Sequence, residues 1–454
     1  MGNVKVTLFA GYFRMEGQEM NPLNFSNDQH GWAELLPARK PSKKLRGEHR
    51  VPWVVIGAGF TGLACARRLA ELHSDDEIFL VDARAVGQAA SGRNAGYAVN
   101  ISHFPGAYVA EKKHEYERIN RINRAGVELL RTAVSDHSID CAWCEKGFYY
   151  GAADQHALEQ RAHFLRYLNI MKVAHSPLDG SQMAERLGTS VYKSGVYVDD
   201  GVLVQPAALV YGLVDSLPKN IKLFEHSAVL KIRTRNPVCL EFEHGTVKAD
   251  KVIVATNSEA GSIGFLKRYV VGSTLAGSFT RVLSADELAK LGSLRQWGVL
   301  SLHGGGATVR STADGRIMLL NTAEYNGGAL LSARQLAERR KIHREHFERR
   351  FPQLSDVPFE FSWSGVEGVS RNGTNFFGKQ LENIYLAGGY NGSGVSKGTA
   401  FGAGLADYAS GAQSQLITDC LASAPAMWIP PRPILDIGAV YKQRSRFKGV
   451  GLDR

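Results

Sequence analysis

A chain of 454 residues is long enough for two or three domains, each with a core of its own. A hydrophobic fraction of 44% and a charged fraction of 22% are ordinary for a globular protein, and no apolar run approaches the roughly 18 residues of a membrane-spanning helix. The formal charge of +10 is dispersed, with local groups at 39–50, 339–350 and 444–454 and no nucleic-acid motif beside them, so it reads as solvated faces. Residues 1–20 lack a basic segment followed by an apolar one, so no secretory signal is expected. Five cysteines make no disulfide framework, which favours a reducing, cytoplasmic setting.

In chain order, residues 1–50 are polar, carry Pro22, Pro37 and Pro41, and are expected to lie as an arm over the surface. Val54, Val55 and Ile56 then form a β-branched run suited to a strand buried on both faces. Gly57, Ala58, Gly59, Phe60, Thr61 and Gly62 follow at once; Leu63–Leu72 reads as a helix and Ile78–Val81 as a second buried strand ending at Asp82. Strand, glycine turn, helix, strand and an acid about 20 residues beyond the last glycine make up a dinucleotide-binding unit. The helix start offers its free N–H groups to a pyrophosphate, and Asp82 offers an acceptor to a ribose hydroxyl pair. Beyond Ala83 and Arg84, the segment Ala90, Ser91, Gly92, Arg93, Asn94, Ala95, Gly96 is a second small-residue loop rich in donors. Helices are predicted over Glu111–Val134, Asp154–Met171, Pro206–Leu217, Ser332–Phe351 and Lys397–Tyr408. Strands are predicted at Gly147–Gly151, Val196–Val198, Lys222–Glu225, Val229–Arg233, Val238–Phe242 and Val252–Val254, between Val270 and Leu320, and at Ile384–Ala387.

Four segments act together: Gly57–Gly62 with Asp82, Ala90–Gly96, Val252–Asn257 and Gly388–Gly398. With them the chain resembles the FAD-dependent oxidoreductases of the D-amino acid oxidase superfamily, in the branch of γ-glutamylputrescine oxidase and L-pipecolate oxidase. The Ser-Gly-Arg-Asn-x-Gly and Gly-Tyr-Asn-Gly-x-Gly loops are the specific parts, and the match runs from about residue 40 onward. The resemblance implies an α/β fold: a doubly wound, Rossmann-like FAD-binding domain (51–135, 196–260, 362–454) interleaved with a mostly antiparallel substrate domain (136–195, 261–361). It also implies oxidation of an amine or amino acid at its C–N bond to an imine, by hydride transfer to flavin N5 and reoxidation by O₂ or another acceptor. A quinone-linked D-amino acid dehydrogenase, or a flavin-binding subunit or tailoring protein, are the competing readings. The implied cofactor set is completed by Val229, Ala255, Thr256, Asn257, Gly389, Tyr390, Asn391, Gly392, Ser393, Gly394 and Val395. Asp82 stands where many relatives carry Glu. No counterpart of a covalent-flavin cysteine occurs between Trp363 and Asn375, so FAD is expected to be noncovalent.

The substrate site is less legible. Arg310, before a probable hairpin turn at 313–315, is expected to meet a substrate carboxylate with its bidentate fork, a surface pair with Arg316 being the bland alternative. His303 and Tyr325 are candidates to bond the amine and Lys397 to sit near the flavin, each against a purely structural reading; Trp363 and Tyr390 are candidates for an aromatic wall. Gly394-Val395-Ser396-Lys397-Gly398 imitates a hydrolase elbow, yet no histidine follows Ser396 to activate it. Cys141-Ala142-Trp143-Cys144 supplies two metal ligands at most, and no metal site is expected.

Overall fold

The computed structural model describes residues 30–101 and 108–453. Two eight-stranded sheets dominate it. In the first, the path runs Phe376–Leu381, Ile384–Gly388, Gly245–Val254, Gly47–Ile56, Ile78–Val81, Ile221–Phe224, and every neighbouring pair is parallel except the edge pair of Phe376–Leu381 with Ile384–Gly388. The β-branched stretch at the end of Gly47–Ile56 is buried on both faces, as its composition requires. On one face lie Phe60–Leu72, Lys113–Asp136, Pro206–Asp215 and Ser396–Ala409, packed through Leu63, Leu69, Ile122, Leu209 and Leu405. The opposite face is covered by the meander Lys231–Arg233 and Val238–Phe242 through Leu240, Val238 and Val229.

The second sheet is ordered Phe359–Ser370, Val270–Thr280, Ile317–Glu324, Thr308–Ser311, Gly298–Ser301, Phe148–Ala152, Ser194–Val198, His175–Asp179, and only Gly298–Ser301 with Phe148–Ala152 is parallel. Helix Ala333–Arg350 packs on one face, where Ser278 Oγ and His343 Nδ1 lie 2.7 Å apart and Phe347 shares an apolar cluster with Tyr149, Val299, Val309 and Leu319. The other face is turned toward the glycine loops of the first sheet. The boundaries expected at 195/196 and 361/362 fall inside strands Ser194–Val198 and Phe359–Ser370, both of the second sheet. Hydrogen-bonded register, which local composition does not show, assigns them there.

Most of residues 33–46 of the amino-terminal arm are exposed or half-buried, as a segment laid over the surface should be, but its start is anchored inside. Residues 1–29 lie outside the described residues, but Trp32 is 1% exposed, wedged against Phe279 and Trp363 at ring separations of 4.6 and 6.5 Å. Its indole N–H donates to Asn94 O at 2.8 Å, so the arm fills one end of the gap between the sheets. Further on, Arg39 Nη1 donates to both oxygens of the buried Glu225 carboxylate (2.7 and 2.9 Å), and the N–H groups of Val86 (2.6 Å) and Ser42 converge on it too. An aromatic anchor and a buried carboxylate fasten this segment to the body of the fold.

Candidate active site

The floor of the site is the turn after Ile56. Gly57 has φ +101°, and a methyl group at Gly62 would lie 1.7 Å from the Gly57 carbonyl oxygen, so only glycine lets the helix start this close to the strand. Helix Phe60–Leu72 begins at Gly59 with no side chain of its own capping it; Phe60 N–H reaches Ser91 Oγ at 3.1 Å. The Asp82 carboxylate accepts from Ala58 N–H and Arg84 N–H, both at 2.8 Å, and so fixes the turn while keeping acceptor capacity on each oxygen. Burial pushes its pKa up to about 6. Ala83 follows, half-buried, and Arg84 pairs with Glu259 at 2.7 Å. Thr256, beside buried Ala255, carries a buried hydroxyl with no partner among the described residues, and Asn257 (φ +47°) accepts from Gly389 N–H at 2.8 Å. Val229 sits in the apolar cluster of the meander.

The second loop forms the short helix Ala90–Arg93. Arg93 is 4% exposed and donates through Nε to Gln88 O and through Nη1 to Ser364 O, both at 2.9 Å, while its own carbonyl accepts from Trp363 Nε1. These donors tie the loop to the roof strand. Asn94 ties its own loop through Ser91 O (2.7 Å) and Gly96 N–H (2.8 Å). Ala95 and Gly96 offer their carbonyls to Arg310, described below.

The third loop enters from Ile384–Gly388. Tyr390 OH lies 2.7 Å from Thr61 Oγ1, joining it to the first helix. Asn391 (φ +52°) accepts from Ser370 N–H at 2.9 Å and donates to Thr374 O at 3.0 Å. Gly392, buried Ser393 and Gly394 lead to Val395, where helix Ser396–Ala409 begins, again without a capping side chain. A methyl at Gly402 would stand 2.1 Å from Thr61 O, so the two helices cross in close contact. Two uncapped helix starts and a loop of small residues thus meet under the second sheet. That cradle, with the unpartnered Thr256 hydroxyl and the spare acceptors of Asp82, fits an extended dinucleotide whose pyrophosphate faces a helix dipole.

The four candidates for substrate chemistry are dispersed. Arg310 is 1% exposed, and its Nη1 donates to Ala95 O, Gly96 O and Val204 O at 3.0, 3.1 and 2.9 Å, with Trp32 and Tyr97 rings flanking the guanidinium. Burial lowers its pKa to about 10, which leaves it cationic. His303 is buried in a turn, where Nδ1 accepts from Gly305 N–H at 2.9 Å and burial lowers its pKa. Tyr325 OH donates to Asp436 at 2.7 Å on helix Ile434–Phe447. Lys397 is buried below the third loop, with Nζ 3.5 Å from Tyr390 O and its pKa pushed down to about 8 by burial. Trp363 is 1% exposed beside Trp32 and Phe279. Ser396 spends its hydroxyl proton on Val99 O at 2.8 Å, which removes the elbow reading. Cys141 and Cys144 are buried, and burial pushes the Cys141 thiol up to about 12. Sequence reasoning missed Trp32 and Glu367. Glu367 had a signal: it is the one charged residue between Phe361 and Ser370.

A parallel sheet with a glycine turn, an acid at the next strand's end and a roofing antiparallel sheet define a flavoprotein of the Rossmann-like, two-sheet type. The profile of the DAO family, FAD dependent oxidoreductase, matches residues 52–408, and the chain belongs to that family. It is 27% identical over 352 residues to the gamma-glutamylputrescine oxidoreductase of Escherichia coli, covering 75% of this chain and 79% of that one. It is 23% identical to a probable oxidoreductase OrdL of Haemophilus influenzae, covering 82% and 87%. Among solved structures, the glycine oxidase of Geobacillus kaustophilus superposes with a TM-score of 0.69 at 17% identity, over 81% of this chain and 96% of that one. The protein is an FAD-dependent oxidoreductase. Among the described residues, no helix is long and apolar enough to cross a membrane.

Proposed function

We propose that this enzyme holds FAD without a covalent bond and oxidises the C–N bond of an amine or amino acid to an imine. The observation that carries this reading is the convergence of the two uncapped helix starts, Gly59–Phe60 and Val395–Ser396, with the Ala90–Gly96 loop beneath the second sheet. The names of the relatives, an amine oxidoreductase and a glycine oxidase, agree with it. When bound, FAD supplies the two-electron acceptor for the substrate's C–N carbon. Asp82 would hold the ribose hydroxyls, and the N–H groups of Gly59, Thr61, Gly62 and residues 394–396 the phosphates and the polar flavin edge, with Ser91 Oγ occupying Phe60 N–H. Arg93 and Arg310 act as positioning residues: each lashes the Ala90–Gly96 loop to a strand of the second sheet. Lys397 stiffens the third loop from below through Tyr390 O. The second sheet excludes water from the reacting nitrogen, which must be neutral to give up a hydride from its neighbouring carbon. A reducing, cytoplasmic setting suits the five unpaired cysteines.

The test is anaerobic bleaching of the flavin band against amines and amino acids, with O₂ and a quinone then compared as acceptors. Bleaching by at least one such compound is expected; a flavin that none of them reduces refutes C–N oxidation. Acid should release yellow FAD into the supernatant, and a yellow pellet over a colourless supernatant refutes noncovalent binding.

A further inference from the structure

Glu367 stands in the middle of strand Phe359–Ser370, on the face that also carries Trp363 and Gly365. That face looks onto the cofactor loops. Trp363 Nε1 donates to Arg93 O at 3.1 Å, a methyl at Gly365 would lie 3.3 Å from Arg93 Cβ, and a methyl at Gly392 would lie 3.8 Å from Glu367 Oε2. The carboxylate therefore projects over the Gly389–Gly394 loop, into the gap between roof and floor. Opposite it in the sheet is Ser273. Among the described residues no donor is hydrogen-bonded to Glu367 and no cation lies within ion-pair distance. Arg446 of helix Ile434–Phe447 is near enough to attract it, but Arg446 Nε is engaged with Gly304 O.

The Glu367 carboxylate is half-buried with no protein cation bonded to it among the described residues, and burial raises its pKa above the ordinary range. Its position over the Gly389–Gly394 loop makes a cationic group of the substrate a natural partner for it. The nitrogen that is oxidised is a poor candidate, because a carboxylate paired to it would hold the very proton it must lose. A second nitrogen that stays protonated throughout has no such conflict.

We propose that Glu367 recognises a distal ammonium group of the substrate, so that this enzyme acts on diamines or related amines with a second cationic nitrogen. The inference rests on the C–N oxidation reading above. Glu367 is here a specificity-determining residue, not a proton carrier: it binds and orients, and the reacting end is left to the flavin pocket.

The experiment compares holoenzyme turnover of cadaverine, with its shorter and longer diamine homologues, against alkylamines of matched length, in wild type, Glu367→Gln and Glu367→Asp. In the wild type the best diamine should exceed its matched alkylamine in kcat/KM by about ten- to a hundredfold, the range of a charge-assisted hydrogen bond. Glu367→Gln should erase that ratio, chiefly through a rise in the diamine KM, with bound FAD and the visible flavin spectrum retained. Glu367→Asp should retain part of it. Thermal stabilisation of the protein by cadaverine should be present in wild type and absent in Glu367→Gln. A wild-type ratio near one, or a diamine preference that survives Glu367→Gln, overturns the proposal. If Glu367→Gln fails to fold, the wild-type ratio and Glu367→Asp decide. Turnover of alkylamines or amino acids without diamine preference defeats only this inference, whereas no bleaching by any amine or amino acid defeats the C–N reading beneath it.

Discussion

Replacing Arg310 by Met keeps much of the side chain's volume and removes its donors. The lost donors at Nη1 serve the carbonyls of Ala95, Gly96 and Val204, at 3.0, 3.1 and 2.9 Å. One terminal nitrogen has two hydrogens, so three acceptors share two strong bonds. Two charge-assisted bonds contribute about 3–6 kcal/mol, and relief from burying the guanidinium charge offsets part of it, leaving about 2–4 kcal/mol. Two of the three carbonyls belong to the loop beside the cofactor, so the loss falls on that loop's order. FAD affinity of the apoprotein should weaken by about thirtyfold or more, read by flavin fluorescence quenching, with a matching fall in Tm. Arg310→Lys, with one cationic donor group, should lie between. Suppose instead that Arg310→Met keeps FAD affinity within about threefold and unfolds at the wild-type temperature, while KM for a carboxylated substrate rises. The guanidinium would then be a substrate clamp, and the loop-staple reasoning would be refuted.

Glu225→Ala should cost about 3–5 kcal/mol, because Arg39 and two backbone N–H groups lose a buried carboxylate. Limited proteolysis should then cut within residues 37–46; an uncut arm with unchanged Tm counts against the clasp. Asp82→Asn tests a pH dependence. The folded pKa of Asp82, about 6, lies above its ordinary 3.8, so its contribution to apoprotein stability is full at low pH and is lost as pH rises through 6. The variant's Tm should therefore decline less than the wild type's between pH 4 and 7; parallel curves would exclude the effect. The same variant should bind FAD more weakly by about 1–3 kcal/mol, measurable by flavin titration.

The glycine loops were legible because their chemistry is local: Gly57–Gly62 needs no distant partner to declare a close helix approach. The strands Ile78–Val81 and Val238–Phe242 and the helices beginning at Asp154 and Ser332 were equally visible, since hydrophobic runs and helix starts are set within a few residues. His175–Asp179 was missed: Pro177 and an exposed pattern disguise an edge strand, where a missing N–H costs nothing. The roles of Trp32 and Glu225 were hidden for another reason. Trp32 meets Phe279 and Trp363, and Glu225 meets Arg39, only after folding brings distant segments together. Arg310 shows the same limit. A strand arginine before a turn is compatible with substrate or scaffold, and only the carbonyls around it distinguish the two.

Asn391 has a consequence for how the two halves of the molecule communicate. Its side chain grips Ser370 N–H, the last residue of a roof strand, and Thr374 O in the turn that follows. The next strand, Phe376–Leu381, already belongs to the other sheet. The roof and the flavin loop are thus joined at a corner of the chain, by Asn391 and by Asn375, whose side chain donates to Gly389 O. The register of the last roof residues and the shape of the Gly389–Gly394 backbone are therefore set together, so a substitution that shifts one strains the other.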